Sequence, residues 1–273
     1  MQTNYNNATD QQQALHDMQA LLHCPSLICT PYAIDEQWLT KFRQHAVLPR
    51  DLAPYQGNQR LGFYYQWLWQ QLIEAHPHYR LLAEEVQLTW QKQTLGAIDF
   101  LVENTQTGHL EHWEVAIKFY LAFQQQWPGP NAKDNLDKKT TRMLEHQLQL
   151  SHHPAFIEQV APQYGMPNIK RLLMQGRLFY PHQQDTTGSS LAVNPQALTG
   201  NWCYPAQAAQ LTLKPIRKTQ WINPPSYCEL ETLLDVDTVT APTQAIAPDN
   251  QVWFVMPEDW PHRDGFESLE NTQ

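Results

Sequence analysis

Two apolar runs held apart by five turn residues constrain this chain more than any other feature: LGAIDFLVE (95–103), NTQTG (104–108) and HLEHWEVAIKFYL (109–121). Both runs are rich in β-branched and aromatic residues, and the Asn and Gly between them mark a turn, so the segment reads as an antiparallel hairpin. If its centre lies between Gln106 and Thr107, residues whose numbers add to 213 face each other, and Asp99 opposes Glu114. Opposed positions hold their Cβ atoms about 5 Å apart. Two carboxylates so close repel each other unless a cation or a proton lies between them. A hard divalent ion, Mg²⁺ or Mn²⁺, suits an oxygen-only pair. Apolar flanks, AIDFLV and WEVAI, imply burial, where a charge without a partner costs several kcal/mol. The same residues also admit a plainer reading, a solvated pair or one neutralised by Lys118. A register slip of one residue would send one carboxylate to the other face.

The elements on either side follow from periodicity. LGFYYQWLWQQLIEAHP sets Leu61, Tyr64, Tyr65, Leu68, Leu72 and Ile73 at helical spacing, with Pro77 closing the run. EEVQLTW (84–90) reads as a further strand, and IKRLLMQGRLFYP (169–181) as another. DNLDKKTTRMLEHQLQL (134–150) returns to helical period, with Asp134 as N-cap and Leu136, Met143, Leu144 and Leu148 on one face. The order over 61–181 is therefore α-β-β-β-α-β. Before it, residues 1–60 read as a Gln/Asn-rich, disordered start followed by short helices, one in ALHDMQALLHCPSL. After it, residues 182–273 read as a mixed extension with strand-like QLTLKPI and QVWFVMP and a frayed ESLENTQ end.

Charge and cysteine usage narrow the functional classes. The net charge of −9 sits entirely in residues 229–273, which hold ten Asp+Glu and one Arg; the remaining 17 acidic and 17 basic groups balance. A dedicated nonspecific DNA binder would be more basic. Residues 131–180 reverse the sign locally, with seven Lys+Arg against four Asp+Glu. Within them Lys138, Arg142 and His146 fall at i, i+4 and i+8, a polar stripe that could grip a phosphate backbone or could be an ordinary solvated face. Four cysteines without a CxxC pair encode neither a disulfide framework nor a zinc knuckle. No Walker loop, GxGxxG or nucleophile elbow occurs. Without a run of about 18 apolar residues or a secretory signal, the chain reads as soluble and cytoplasmic, with no membrane partner. Of ten tryptophans, Trp67, Trp69 and Trp113 fall in core elements, while Trp127, Trp202 and Trp221, in loop-like contexts, are the candidates for stacking on bases. WPGPN (127–131) is either a substrate-shaping loop or a rigid turn.

An Asp and an ExK-like element on adjacent strands of an α-β-β-β-α-β core resembles the PD-(D/E)XK phosphodiesterase superfamily, the restriction-endonuclease-like nucleases. More closely, LGFYYQWL, LGAIDFL, HWEVAIKFYL, WPGPN with DNLDKKTTRMLEHQL, and QGRLFYP resemble the bacterial family called domain of unknown function 1853. The resemblance implies a restriction-endonuclease-like α/β core with a mixed central sheet and N- and C-terminal elaborations. It also implies that Asp99, Glu114 and the carbonyl of Val115 bind Mg²⁺ or Mn²⁺, and that Lys118 orients or deprotonates the attacking water. The function it implies is a nuclease acting on DNA or RNA; the alternative is a catalytically inactive descendant that binds nucleic acid or a protein partner. Two positions depart from the superfamily pattern. The residue two after Glu114 is Ala116, the lysine arriving only at Lys118, about 13 Å along a regular strand. On the first helix the residue nearest the slot often filled by an acid is Gln66.

Overall fold

Residues 3–183 and 193–262 are described by the computed structural model. Three long strands occupy the middle of the chain because the residues joining them adopt conformations a strand cannot. β1 (Tyr79–Trp90) turns into β2 (Gln93–Asn104) through Gln91 and Lys92, at φ 50° and 67°. Positive φ at both central residues is the two-residue hairpin geometry that matches strand twist. β2 turns into β3 (His109–Leu121) through NTQTG, where the Asn104 side-chain carbonyl accepts from the N–H groups of Gln106 and Thr107 and Gly108 sits at φ 70°. A left-handed residue there suits glycine. The pairing has the register the sequence implies, Phe100 opposite Trp113 and Asn104 opposite His109.

Helices flank these strands. α1 (Thr3–Leu21) begins well before the stretch read as helical from sequence. α2 (Glu36–His45) is capped by Asp35, whose carboxylate accepts from the Trp38 N–H at 2.7 Å. α3 (Leu61–Ala75) ends just before Pro77 and buries Tyr65, Leu68, Trp69, Leu72 and Ile73. α4 (Leu136–Glu145) is shorter than the 134–150 helix expected from periodicity. Asn135, not Asp134, caps it, accepting from the Asp137 N–H at 2.9 Å, because Asp134 is taken up by Lys118. Past Glu145 the chain tightens into a 3-10 helix, Gln147–His152, and continues into α5 (Pro154–Gln159) and α6 (Ala161–Tyr164).

The remaining strands are β4 (Ile169–Pro181), β5 (Thr199–Cys203), β6 (Lys214–Pro215), β7 (Thr243–Ile246) and β8 (Val252–Val255), with a short α7 (Pro205–Ala208). One mixed sheet orders the eight strands β1-β2-β3-β4-β5-β8-β7-β6. β5 runs parallel to β4 and to β8, and β7 returns antiparallel. The chain divides into two compact units, residues 1–117 with 140–175, and residues 118–139 with 176–273. Among the described residues no helix is long and apolar enough to cross a membrane.

In the first unit, Trp38, Phe42, Trp69, Tyr79 and Trp113 pack ring against ring at 5.2–6.3 Å. In the second, Cys203, Ala208, Leu213, Ala245, Trp253 and Val255 share a core. The stacking role expected of the loop tryptophans is overturned for two of the three: Trp127 is 1 % exposed and Trp202 3 %. The Pro- and Gly-containing loop folds back on its own flanks, the Leu121 N–H donating to the Pro128 carbonyl and the Leu136 N–H to the Trp127 carbonyl. Trp202 donates its indole N–H to the Ala122 carbonyl. Trp221 is half-buried, edge-on to Phe119 and Phe254. The ESLENTQ end lies outside the described residues.

Candidate functional site

Asp99 lies where both of its ladders are interrupted. Toward β1 the pairing steps from Glu84 opposite Phe100 to Val86 opposite Ile98, and Glu85 between them is at φ 49°. A left-handed residue within a strand redirects the strand beyond it. Ile98 and Leu101, three apart, consequently join one apolar cluster with Leu88, Leu150 and Phe156, which strict alternation would forbid. Toward β3 the paired residues stop at Phe100 and Trp113. One residue further, half-buried Asp99 accepts from the Val115 backbone N–H through Oδ2 at 2.8 Å. The sequence-implied meeting of Asp99 with the Glu114 region is thus made by a side chain reaching the next residue's backbone.

Glu114 is wholly buried, as are His112 and Ser151. Its Oε2 accepts from the Gln147 amide at 2.9 Å, and its Oε1 lies 2.9 Å from His112 Nε2. The other ring nitrogen, Nδ1, is 3.0 Å from Ser151 Oγ. Burial, with Lys170 adding a smaller effect, lowers His112 to about 3, so the ring is neutral near pH 7. This connected set was not read from the sequence. Its one legible signal was the i, i+2 spacing of His112 and Glu114, which puts both on one face of β3. Alternating positions on the opposite face carry Glu111, which accepts from Arg171 Nε at 2.5 Å and Nη2 at 3.1 Å, and from the Trp113 indole at 2.7 Å.

The other residues singled out by sequence have separate surroundings. Lys118, in the second unit, donates to Asp134 Oδ2 at 2.6 Å, and the Tyr120 hydroxyl donates to the same oxygen at 3.2 Å. Gln66 donates to Glu85 Oε1 at 2.5 Å, so the first-helix position that lacks an acid instead holds one supplied by β1. Burial raises neighbouring Glu84, with Glu74 and Glu85 adding to the effect. Lys138 and Arg142 are exposed on α4. His146, just past its end, donates Nε2–H to the Leu95 carbonyl at 2.9 Å.

Asp99, Glu114 and the Val115 carbonyl offer hard oxygen donors only, which is the donor chemistry of Mg²⁺ or Mn²⁺ rather than of zinc or copper. Among the described residues no three His, Cys, Asp or Glu side chains come together as a metal-binding group, so water would have to complete any shell there. The chain is a mixed α/β protein with an eight-stranded mixed sheet and a strand-borne carboxylate pair on adjacent strands. It belongs to the family described as Domain of unknown function (DUF1853), whose model matches residues 3–258. No curated protein and no solved structure matches it.

Proposed function

We propose that this protein is a divalent-metal-dependent phosphodiester hydrolase of the restriction-endonuclease-like type, acting on DNA or RNA. One observation carries the reading: Asp99 is bonded to the backbone of the residue after Glu114, where the β2–β3 ladder ends and the strands' own pairing gives way to a side chain. The succession α3-β1-β2-β3-α4-β4 supports it. Asp99, Glu114 and the Val115 carbonyl would hold Mg²⁺ or Mn²⁺, which when bound supplies Lewis acidity and a water of lowered pKa. Asp99 contributes from a kinked strand and Glu114 from a buried, doubly hydrogen-bonded position, so both carboxylates are pre-oriented. Exposed Lys138 and Arg142, one helical turn apart on α4, would contact the phosphate backbone.

A second reading, a nuclease-fold protein that binds nucleic acid or a protein partner without cutting, is favoured by Ala116 and by the engagement of Lys118 with Asp134. Calorimetric titration of Mg²⁺ and Mn²⁺ into the wild type and the Asp99→Asn/Glu114→Gln double variant, with and without a short duplex, tests the metal site. Binding lost in the variant supports it, and binding by neither protein rejects it. Binding by the wild type without cleavage of single- or double-stranded DNA or RNA selects the second reading.

A further inference from the structure

We infer that His112 and Ser151 are positioning residues for Glu114, forming a relay that presents its carboxylate to a divalent cation in one fixed orientation; the inference rests on the metal reading above. The direction of the relay comes from donor and acceptor capacity. An ionised Glu114 can only accept, so the proton on the neutral His112 ring lies on Nε2 and donates to Oε1. That leaves Nδ1 bare, and the Ser151 hydroxyl donates to it. Gln147 donates to the second carboxylate oxygen, Oε2, and the two bonds together fix the plane of the carboxylate. Each oxygen accepts one of these bonds and has a second lone pair with which to meet a cation.

Ser, His and carboxylate in this order is also the arrangement of hydrolytic triads. Here Ser151 is buried at 0 % exposure along with both partners, so its hydroxyl is closed to a substrate carbonyl and serves as a donor. Two of the four groups, His112 and Glu114, share one face of β3, and the other two, Gln147 and Ser151, sit about one turn apart on the 3-10 segment. The tightening of the chain after Glu145 is what brings Gln147 and Ser151 to the same carboxylate assembly. Hydrogen-bond partners that orient a metal ligand typically tune metal affinity by about 10–100-fold.

The test uses the full chain with Mn²⁺ as probe. Long-range ¹H–¹⁵N NMR of the metal-free protein should find His112 neutral with its proton on Nε2; a proton on Nδ1 overturns the relay. Ser151→Ala should release that tautomer bias and weaken Mn²⁺ binding by about 10–100-fold, and Ser151→Thr, which keeps the hydroxyl, should restore both. If Ser151→Ala does not fold, Ser151→Cys, near-isosteric with a weaker donor, should give an intermediate loss. Unchanged affinity in a folded Ser151→Ala or Ser151→Cys protein, with the wild type binding, overturns the positioning role and leaves the metal reading standing. Absence of Mn²⁺ binding by the wild type overturns both together.

Discussion

Replacing Asp17 by Asn should stabilise this protein at neutral pH and not in acid. Asp17 is wholly buried on α1, where it accepts from the Tyr64 hydroxyl at 2.8 Å and the Gln13 amide at 2.9 Å. Burial outweighs those two bonds and raises its carboxyl from 3.8 to about 6. The folded chain therefore holds this proton more tightly than the unfolded chain does. The stability so gained is fully present below the unfolded value and is lost as pH rises through about 6. At about 1.4 kcal/mol per pH unit, the loss across that interval is about 3 kcal/mol. Asn has no charge to desolvate; its carbonyl can accept from Gln13 while its amide donates to the Tyr64 oxygen. The stability difference, variant minus wild type, should thus grow by about 2–3 kcal/mol between pH 4 and pH 7. His112 works in the opposite sense: its folded value is lowered from 6.5 to about 3, so its contribution is present above 6.5 and is lost as pH falls. Over pH 4–6 the two slopes oppose each other in the wild type, and Asp17→Asn should expose the rise of stability with pH that belongs to His112. Urea unfolding at half-unit pH steps, extrapolated linearly, measures both. A stability difference that does not change between pH 4 and pH 7 would refute the reasoning.

Three further outcomes are expected from packing. Glu111→Ala strands Arg171, whose side chain is 20 % exposed, and should cost about 3–5 kcal/mol, read as a lowered urea midpoint. Gly176→Ala puts a Cβ 1.8 Å from the Lys118 carbonyl oxygen at a residue with φ 138°, so it should destabilise by more than about 4 kcal/mol; a melting temperature within a few degrees of wild type would contradict that contact. Of the four cysteines, exposed Cys29 and Cys228 should react with a thiol reagent in the native state, while Cys24 and Cys203 should react only on unfolding, Cys203 being pushed up to about 12 by burial.

The hairpin register was legible because a five-residue turn containing Asn104 and Gly108 leaves one sensible centre, and the alternation on either side agrees with it. Helix α3 was legible for a related reason, an apolar stripe closed by proline. The kink at Glu85 and Asp99 was not, because a left-handed non-glycine residue leaves no compositional mark. Nor was the set around Glu114: Gln147 and Ser151 come from a segment whose apolar spacing continues that of α4 although its hydrogen bonding changes to 3-10. Trp127 and Trp202 misled because prolines and glycines suggest exposure, whereas here they let the loop double back over its own indoles.

The borders between the two compact units fall after Ile117, Lys139 and Gln175, inside β3, α4 and β4 and not in loops. Three passages through regular structure mean that no single scissile point, stop codon or fusion joint separates one unit from the other. A deletion ending anywhere before residue 176 removes part of the second unit's sheet together with everything after it. Dissection of this chain by truncation would therefore report on unfolding, and assignment of an activity to either half must come from point substitutions in the intact polypeptide.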